Sequence, residues 1–144
     1  MDIRRIASIS AIVLGSLMIV GAAATWLMVS SELEDQKIVT PEDSCLPDRT
    51  VKGPFTAYCQ AEIIDDHARE ATGGQTYAEL PRDDPRRETA MQASFLRASL
   101  YTSVVAFGVA AMAAAMGVLF ILIGLGMRDV RHRLSPTEVE PPAE

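Results

Sequence analysis

Charge is missing from two long stretches of this 144-residue chain: residues 6–29, 24 in a row, and residues 99–127, a further 29. Yet 22% of all residues are charged and the mean hydropathy is only +0.16. The ionisable residues are therefore pushed to the ends and the middle, which excludes a simple soluble domain, a disordered chain and a collagen-like one. Cysteine is scarce as well. Cys45 and Cys59 are the two present, too few for a disulfide-dense mini-protein and too far apart for a CxxC redox pair. No ionisable residue falls inside either uncharged run, which removes the intramembrane charges of an ion or proton path. The broken helices and midplane polar groups of a transporter are absent too. The formal net charge is −6, so a nucleic-acid partner is excluded on electrostatic grounds. Gly73-Gly74 has no phosphate-loop pattern around it and fits a helix stop.

Each uncharged run, at about 1.5 Å per helical residue, covers the ~30 Å hydrocarbon core of a bilayer. In the first, Ile9, Ile12, Leu14, Leu17, Ile19 and Leu27 each favour insertion by roughly 0.3–0.6 kcal/mol. Trp26 and Tyr101 lie near one end of each run, where amphipathic rings suit the interface. The first run exceeds the usual length of a signal-peptide apolar region, so a retained anchor is expected in place of a cleaved leader. Arg4 and Arg5 precede the first run, and Arg128, Arg131 and Arg133 follow the second. The segment between, residues 30–98, holds 8 basic against 14 acidic residues. Positive-inside bias then places both termini in the cytoplasm and residues 30–98 outside the cell membrane.

The expected fold is an all-α membrane protein, an antiparallel two-span hairpin with a long second helix projecting outside and a short helical extracytoplasmic cap. Its parts are a cytoplasmic N-terminus (1–5), transmembrane helix 1 (6–29), the extracytoplasmic segment (30–98), transmembrane helix 2 (99–127) and a largely disordered cytoplasmic tail (128–144). Within the outer segment, Pro54 and Gly73 bracket a helix over 54–72 whose apolar stripe is Tyr58, Ala61, Ile64, Ala68 and Ala71. Asp84-Pro85 reads as the start of a stalk helix that continues into the second span, because no proline follows until Pro136. Cys45 and Cys59, both on the oxidising side, can pair and close a 15-residue loop worth ~3 kcal/mol. The alternative is two unrelated thiols.

Small residues recur at four-residue spacing as Ala7, Ala11 and Gly15 in the first run and Ala106, Ala110 and Ala114 in the second. Such ladders let helix backbones approach closely in lipid, although alanine-rich spans also produce them by chance. Glu34 and Asp35 lie a little above the first span and Arg97 a little above the second, so an antiparallel hairpin could pair them; the alternative is that all three are solvated. Asp65, Asp66, His67 and Glu70 are the one group resembling metal ligands; fewer ligands converge than a metal normally needs, and they are read as a solvated acidic helix face. No catalytic residue, cofactor-binding residue or metal site is assigned, and no small-molecule substrate is indicated.

Residues 56–80, TAYCQAEIIDDHAREATGGQTYAEL, and residues 91–109, MQASFLRASLYTSVVAFGV, resemble a family of small actinobacterial two-span membrane proteins of unknown function. Some members carry the label aromatic ring-opening dioxygenase. Non-haem iron oxygenases generally use two histidines and a carboxylate on one metal. Here the two histidines are His67 and His132, which the expected topology puts on opposite sides of the bilayer, so the label is rejected for this chain. The function expected is a non-catalytic interaction protein, an accessory or regulatory subunit of a larger envelope complex. The alternative is a self-assembling structural membrane protein, with an enzyme or metal-binding outer domain third. The partners are then the lipid bilayer and another membrane protein or a second copy.

Overall fold

A computed structural model of the chain describes residues 3–134, with side chains as far as residue 129; the expectation for the tail beyond 134 lies outside them. Three helices account for the regular structure: α1 (Ile3–Asp35), α2 (Pro54–Thr72) and α3 (Arg86–Leu134). Among the described residues there is no strand, only an isolated antiparallel bridge between Val39 and Thr50. At 33 and 49 residues, α1 and α3 are about 50 and 73 Å long. Both are long and apolar enough to cross a membrane. In each, 17% of the most apolar window is buried, whereas the core helix of a soluble protein would be mostly buried. Leu17, Val20 and Leu27 of α1 and Val105, Met112 and Leu122 of α3 all stand exposed.

The chain forms two compact units, Met1–Ala23 with Met112–Glu144, and Ala24–Ala111. In the first, α1 and α3 meet through their smallest residues. A Cβ on Gly15 would sit 2.5 Å from the Gly117 carbonyl oxygen, and one on Gly117 would sit 2.6 Å from that of Gly15. Further along, a Cβ on Gly124 would meet Ile12 and the Ser8 carbonyl, and the Ser8 hydroxyl donates to the Gly124 carbonyl at 2.7 Å. These contacts climb one helix as they descend the other. Ser8, Gly15 and Ala22 are buried at seven-residue spacing on α1, as are Gly117 and Gly124 on α3.

The contact between α1 and α3 follows that spacing, and only Gly15 and Ala110 of the four-residue ladders are buried. Ala7 is exposed and Ala11 half-buried; Ala106 and Ala114 are half-buried, while Ala110 is buried. Two helices that stay in contact over several turns at a shallow angle meet every 3.5 residues on average, so a seven-residue repeat keeps to the seam. A strict four-residue step rotates about 40° per repeat and leaves it.

In the second unit the core is Leu33, Val51, Ala57, Ala61, Leu100 and Phe107, with Val29, Ile38, Ile64, Tyr101 and Val104 against it. Trp26 meets Phe107 edge to face with ring centroids 4.7 Å apart. Gly53 caps α2 in an extended conformation, Pro54 takes its first position, and the Thr56 hydroxyl accepts from the Gly53 N–H at 3.2 Å. Gly73 ends the helix at φ 68°, left-handed backbone that only glycine adopts freely, and the Gly74 N–H closes on the Arg69 carbonyl at 2.7 Å. At the start of α3, an Asp84 carboxylate oxygen accepts from the Arg86 N–H at 2.9 Å.

Candidate functional site

The second unit holds the ion pairs found between residues 30 and 98, which join α2 and its flanking loops to the two long helices. Residues 36–53 fold over α2 around Thr40, which is buried. The Thr40 N–H donates to the Arg49 carbonyl at 2.9 Å, and its hydroxyl accepts from the Arg49 N–H at 3.0 Å and donates to the Leu46 carbonyl. The Val51 N–H to Ile38 carbonyl bond, 2.9 Å, closes this loop and drops Val51 into the core. The Ser30 hydroxyl donates to the Lys52 carbonyl at 2.7 Å, which fixes the start of α2 at the level where the first uncharged run ends.

Cys45 and Cys59 are joined as a disulfide, with Cα atoms 5.5 Å apart, a normal separation for the bond. Cys45 is exposed and Cys59 buried. The bridge pulls the loop onto a second face of α2. Cys59 and Ile63 are buried there in addition to Ala57 and Ala61, while Tyr58 and Ala71 of the expected stripe are exposed. One amphipathic stripe was too simple for a helix covered from two sides.

The pairing open to Glu34, Asp35 and Arg97 is replaced by others. Arg97 donates to Asp65 of α2 at 2.7 Å, both side chains about a quarter exposed, and its guanidinium lies 5.8 Å from the centre of the Tyr101 ring. Glu34 faces Lys52 at 3.9 Å, and both are well exposed. The cause is the position of α2, which meets the α3 stalk at the height of Arg97 and offers it a carboxylate first. Asp65 also accepts from Arg69, one turn further along α2, at 2.9 Å. Tyr101 donates to Glu62, adding a second link between the two helices.

The acidic group on α2 is dispersed into these pairings. His67 bonds Asp43 of the loop at 2.8 Å. That bond raises the imidazole pKa above its ordinary value, helped by the charges of Asp43, Glu70 and Asp66, and lowers that of the Asp43 carboxyl. Among the described residues no group of three or more His, Cys, Asp or Glu is gathered as a metal would require. Near the far end of α2, Arg86 donates to the Thr72 carbonyl at 3.0 Å and to Asp84 at 2.7 Å, holding the Asp84 carboxyl below its usual range. Arg87 donates to the Leu80 carbonyl at 2.6 Å and covers the Tyr77 ring at 4.0 Å.

What these side chains do chemically is hold α2 and two loops on the ends of two long helices. The glycine seam and the Asp65–Arg97 link were missed from the sequence. The seam had a signal, since Ser8, Gly15 and Ala22 repeat at seven residues; the link had none, since its partners are 32 residues apart and joined only by packing. No family model matches the chain, and no curated protein or solved structure is similar to it.

Proposed function

We propose that the chain is a non-catalytic membrane interaction protein, an accessory or regulatory subunit of a larger envelope complex. It crosses the bacterial plasma membrane twice as a hairpin, with both termini in the cytoplasm and residues 30–98 outside. The arginines flanking the uncharged runs and the disulfide in the outer segment support that orientation. Kinship with the actinobacterial two-span proteins belongs to the same proposal. The observation that carries the subunit reading is a division among the small residues of the long helices. Gly15, Gly117 and Gly124 are consumed in the chain's own helix pair, whereas Gly108 and Ala111 lie exposed on α3 and a Cβ on Gly108 would meet nothing within 4 Å. In lipid, such an open small-residue face is where another helix can approach closely. The charged side chains of the outer segment support the non-catalytic reading, since Asp65, Arg97, His67, Asp43, Arg86 and Asp84 are engaged in holding the cap.

The test is a gentle-detergent pulldown of tagged chain from its native membrane, read by mass spectrometry. The proposal expects a stoichiometric larger membrane protein, lost from the Gly108→Leu variant and kept by Gly21→Leu, whose site is equally open but lies on α1. Recovery of this chain alone as a defined oligomer would replace the subunit reading with self-assembly. Recovery as a lone monomer would contradict both.

A further inference from the structure

Beside α2 a groove of about 730 Å³ runs between α1 and α3. One wall is Met28, Glu32 and Gln36 of α1, spaced four apart and so on one helix face. The other is Leu96, Ser99 and Ser103 of α3, and Gln60 and Ile64 of α2 lie across it. Along α1 it extends about 12 Å, parallel to the helix axis. Its lower end, at Met28 and Ser103, is inside the uncharged runs, and its upper end, at Gln36 and Leu96, is among the charged residues outside them. The groove thus crosses the same border, from apolar to polar, that a lipid crosses between its tail and its headgroup. Its interior includes Leu33 and Leu100 of the core, and Met28 and Leu96 at its edges are exposed, so it is continuous with the apolar outer faces of the helices.

Among the described residues it offers one buried unpartnered acceptor and one exposed carboxylate without a protein partner. Gln60 Oε1 is buried with no hydrogen-bond partner among the described residues, and no ion pair there engages Glu32. We infer that the groove binds one membrane phospholipid, its acyl chain against Met28 and Leu100 and an ammonium-bearing headgroup donating to Gln60 and Glu32. An anionic headgroup without a cation would bring a second negative charge beside the exposed Glu32 carboxylate. This rests on the membrane-spanning reading.

The experiment is native mass spectrometry of the full chain in mild detergent, with equimolar phosphatidylethanolamine and phosphatidylglycerol added. One phosphatidylethanolamine per chain is expected, at least fivefold over phosphatidylglycerol. Ser99→Trp or Leu96→Trp, each filling the groove from an exposed position, should cut the adduct at least tenfold with helicity unchanged by circular dichroism. Gln60→Leu should retain an adduct and lose the headgroup preference. No adduct on the natural chain, no preference, or an adduct indifferent to both tryptophans would overturn the inference. A photocrosslinker at Leu96 reads the occupant without relying on the variants' folding: a lipid mass supports the site, and a polypeptide overturns it. Release of the chain by a carbonate wash of membranes would sink the spanning reading together with the site, whereas a carbonate-resistant chain without adduct would sink the site alone.

Discussion

Gly15→Ala adds a single methyl group at the closest approach of α1 and α3. Its carbon would fall 2.5 Å from the Gly117 carbonyl oxygen, 2.9 Å from Ile121 Cγ1 and 3.1 Å from the Ile121 nitrogen. Two of the three are backbone atoms and cannot rotate away, so the helices themselves must part by roughly 0.5–1 Å. A gap of that size forfeits about a quarter to a half of each dispersion contact along the seam, and overpacking of this kind costs about 1–3 kcal/mol. Gly117→Ala meets the reciprocal wall, 2.6 Å from the Gly15 carbonyl oxygen. Once one methyl has separated the helices the second meets less resistance, so the double variant should cost clearly less than the sum. Gly21→Ala is the control, because a Cβ there meets nothing within 4 Å. The assay is reversible unfolding in mixed detergent micelles, followed by fluorescence transfer between labels on the two helices. Equal stabilities for Gly15→Ala and Gly21→Ala, or strict additivity of the two seam variants, would refute the close-packed glycine seam.

Three further outcomes follow from the cap. Arg97→Ala should destabilise it by about 1–2 kcal/mol, as expected for a charge-assisted bond that is partly buried, whereas Asp35→Ala should change it by less than about 0.5 kcal/mol; equal effects in thermal melts would restore the pairing that the sequence allows. Cys45→Ser should cost about 3 kcal/mol through the 15-residue loop, and chemical reduction of the natural chain should reproduce the shift; unaltered melting would remove the disulfide from the account. Folded His67 holds its proton more tightly than the unfolded chain does, so its contribution is complete below about pH 6.5 and fades as pH rises through its raised value. Asp43, held low, contributes above about pH 3.9 and loses that contribution as pH falls through its lowered value. The bridge is therefore strongest between them. Asp43→Asn should move the His67 titration, read by NMR, back toward the ordinary imidazole value, and an unmoved curve would contradict the contact.

Local signals carried far in this chain. Pro54 and Gly73 mark the ends of α2 because one lacks an N–H that the first turn does not need and the other accepts φ 68°. The uncharged runs mark the long helices because each is a long, proline-free apolar stretch. Contacts between elements were harder to read. Arg97 and Asp65 meet only because α2 lies against α3, and nothing within either segment records that arrangement. Ala7 belongs to a four-residue ladder that sequence alone cannot distinguish from the seven-residue one of Ser8, Gly15 and Ala22, since the choice depends on the angle at which two helices cross. The groove at Gln60 was invisible for the same reason, as three helices contribute to it.

Everything proposed depends on which side of a membrane the cap occupies, and one labelling experiment reads that directly. Intact cells are treated with a membrane-impermeant thiol reagent before and after mild reduction. Labelling of Cys45, the exposed member of the pair, should occur only after reduction. No labelling after reduction in intact cells, with full labelling once they are lysed, would put the cap in the cytoplasm and contradict the account.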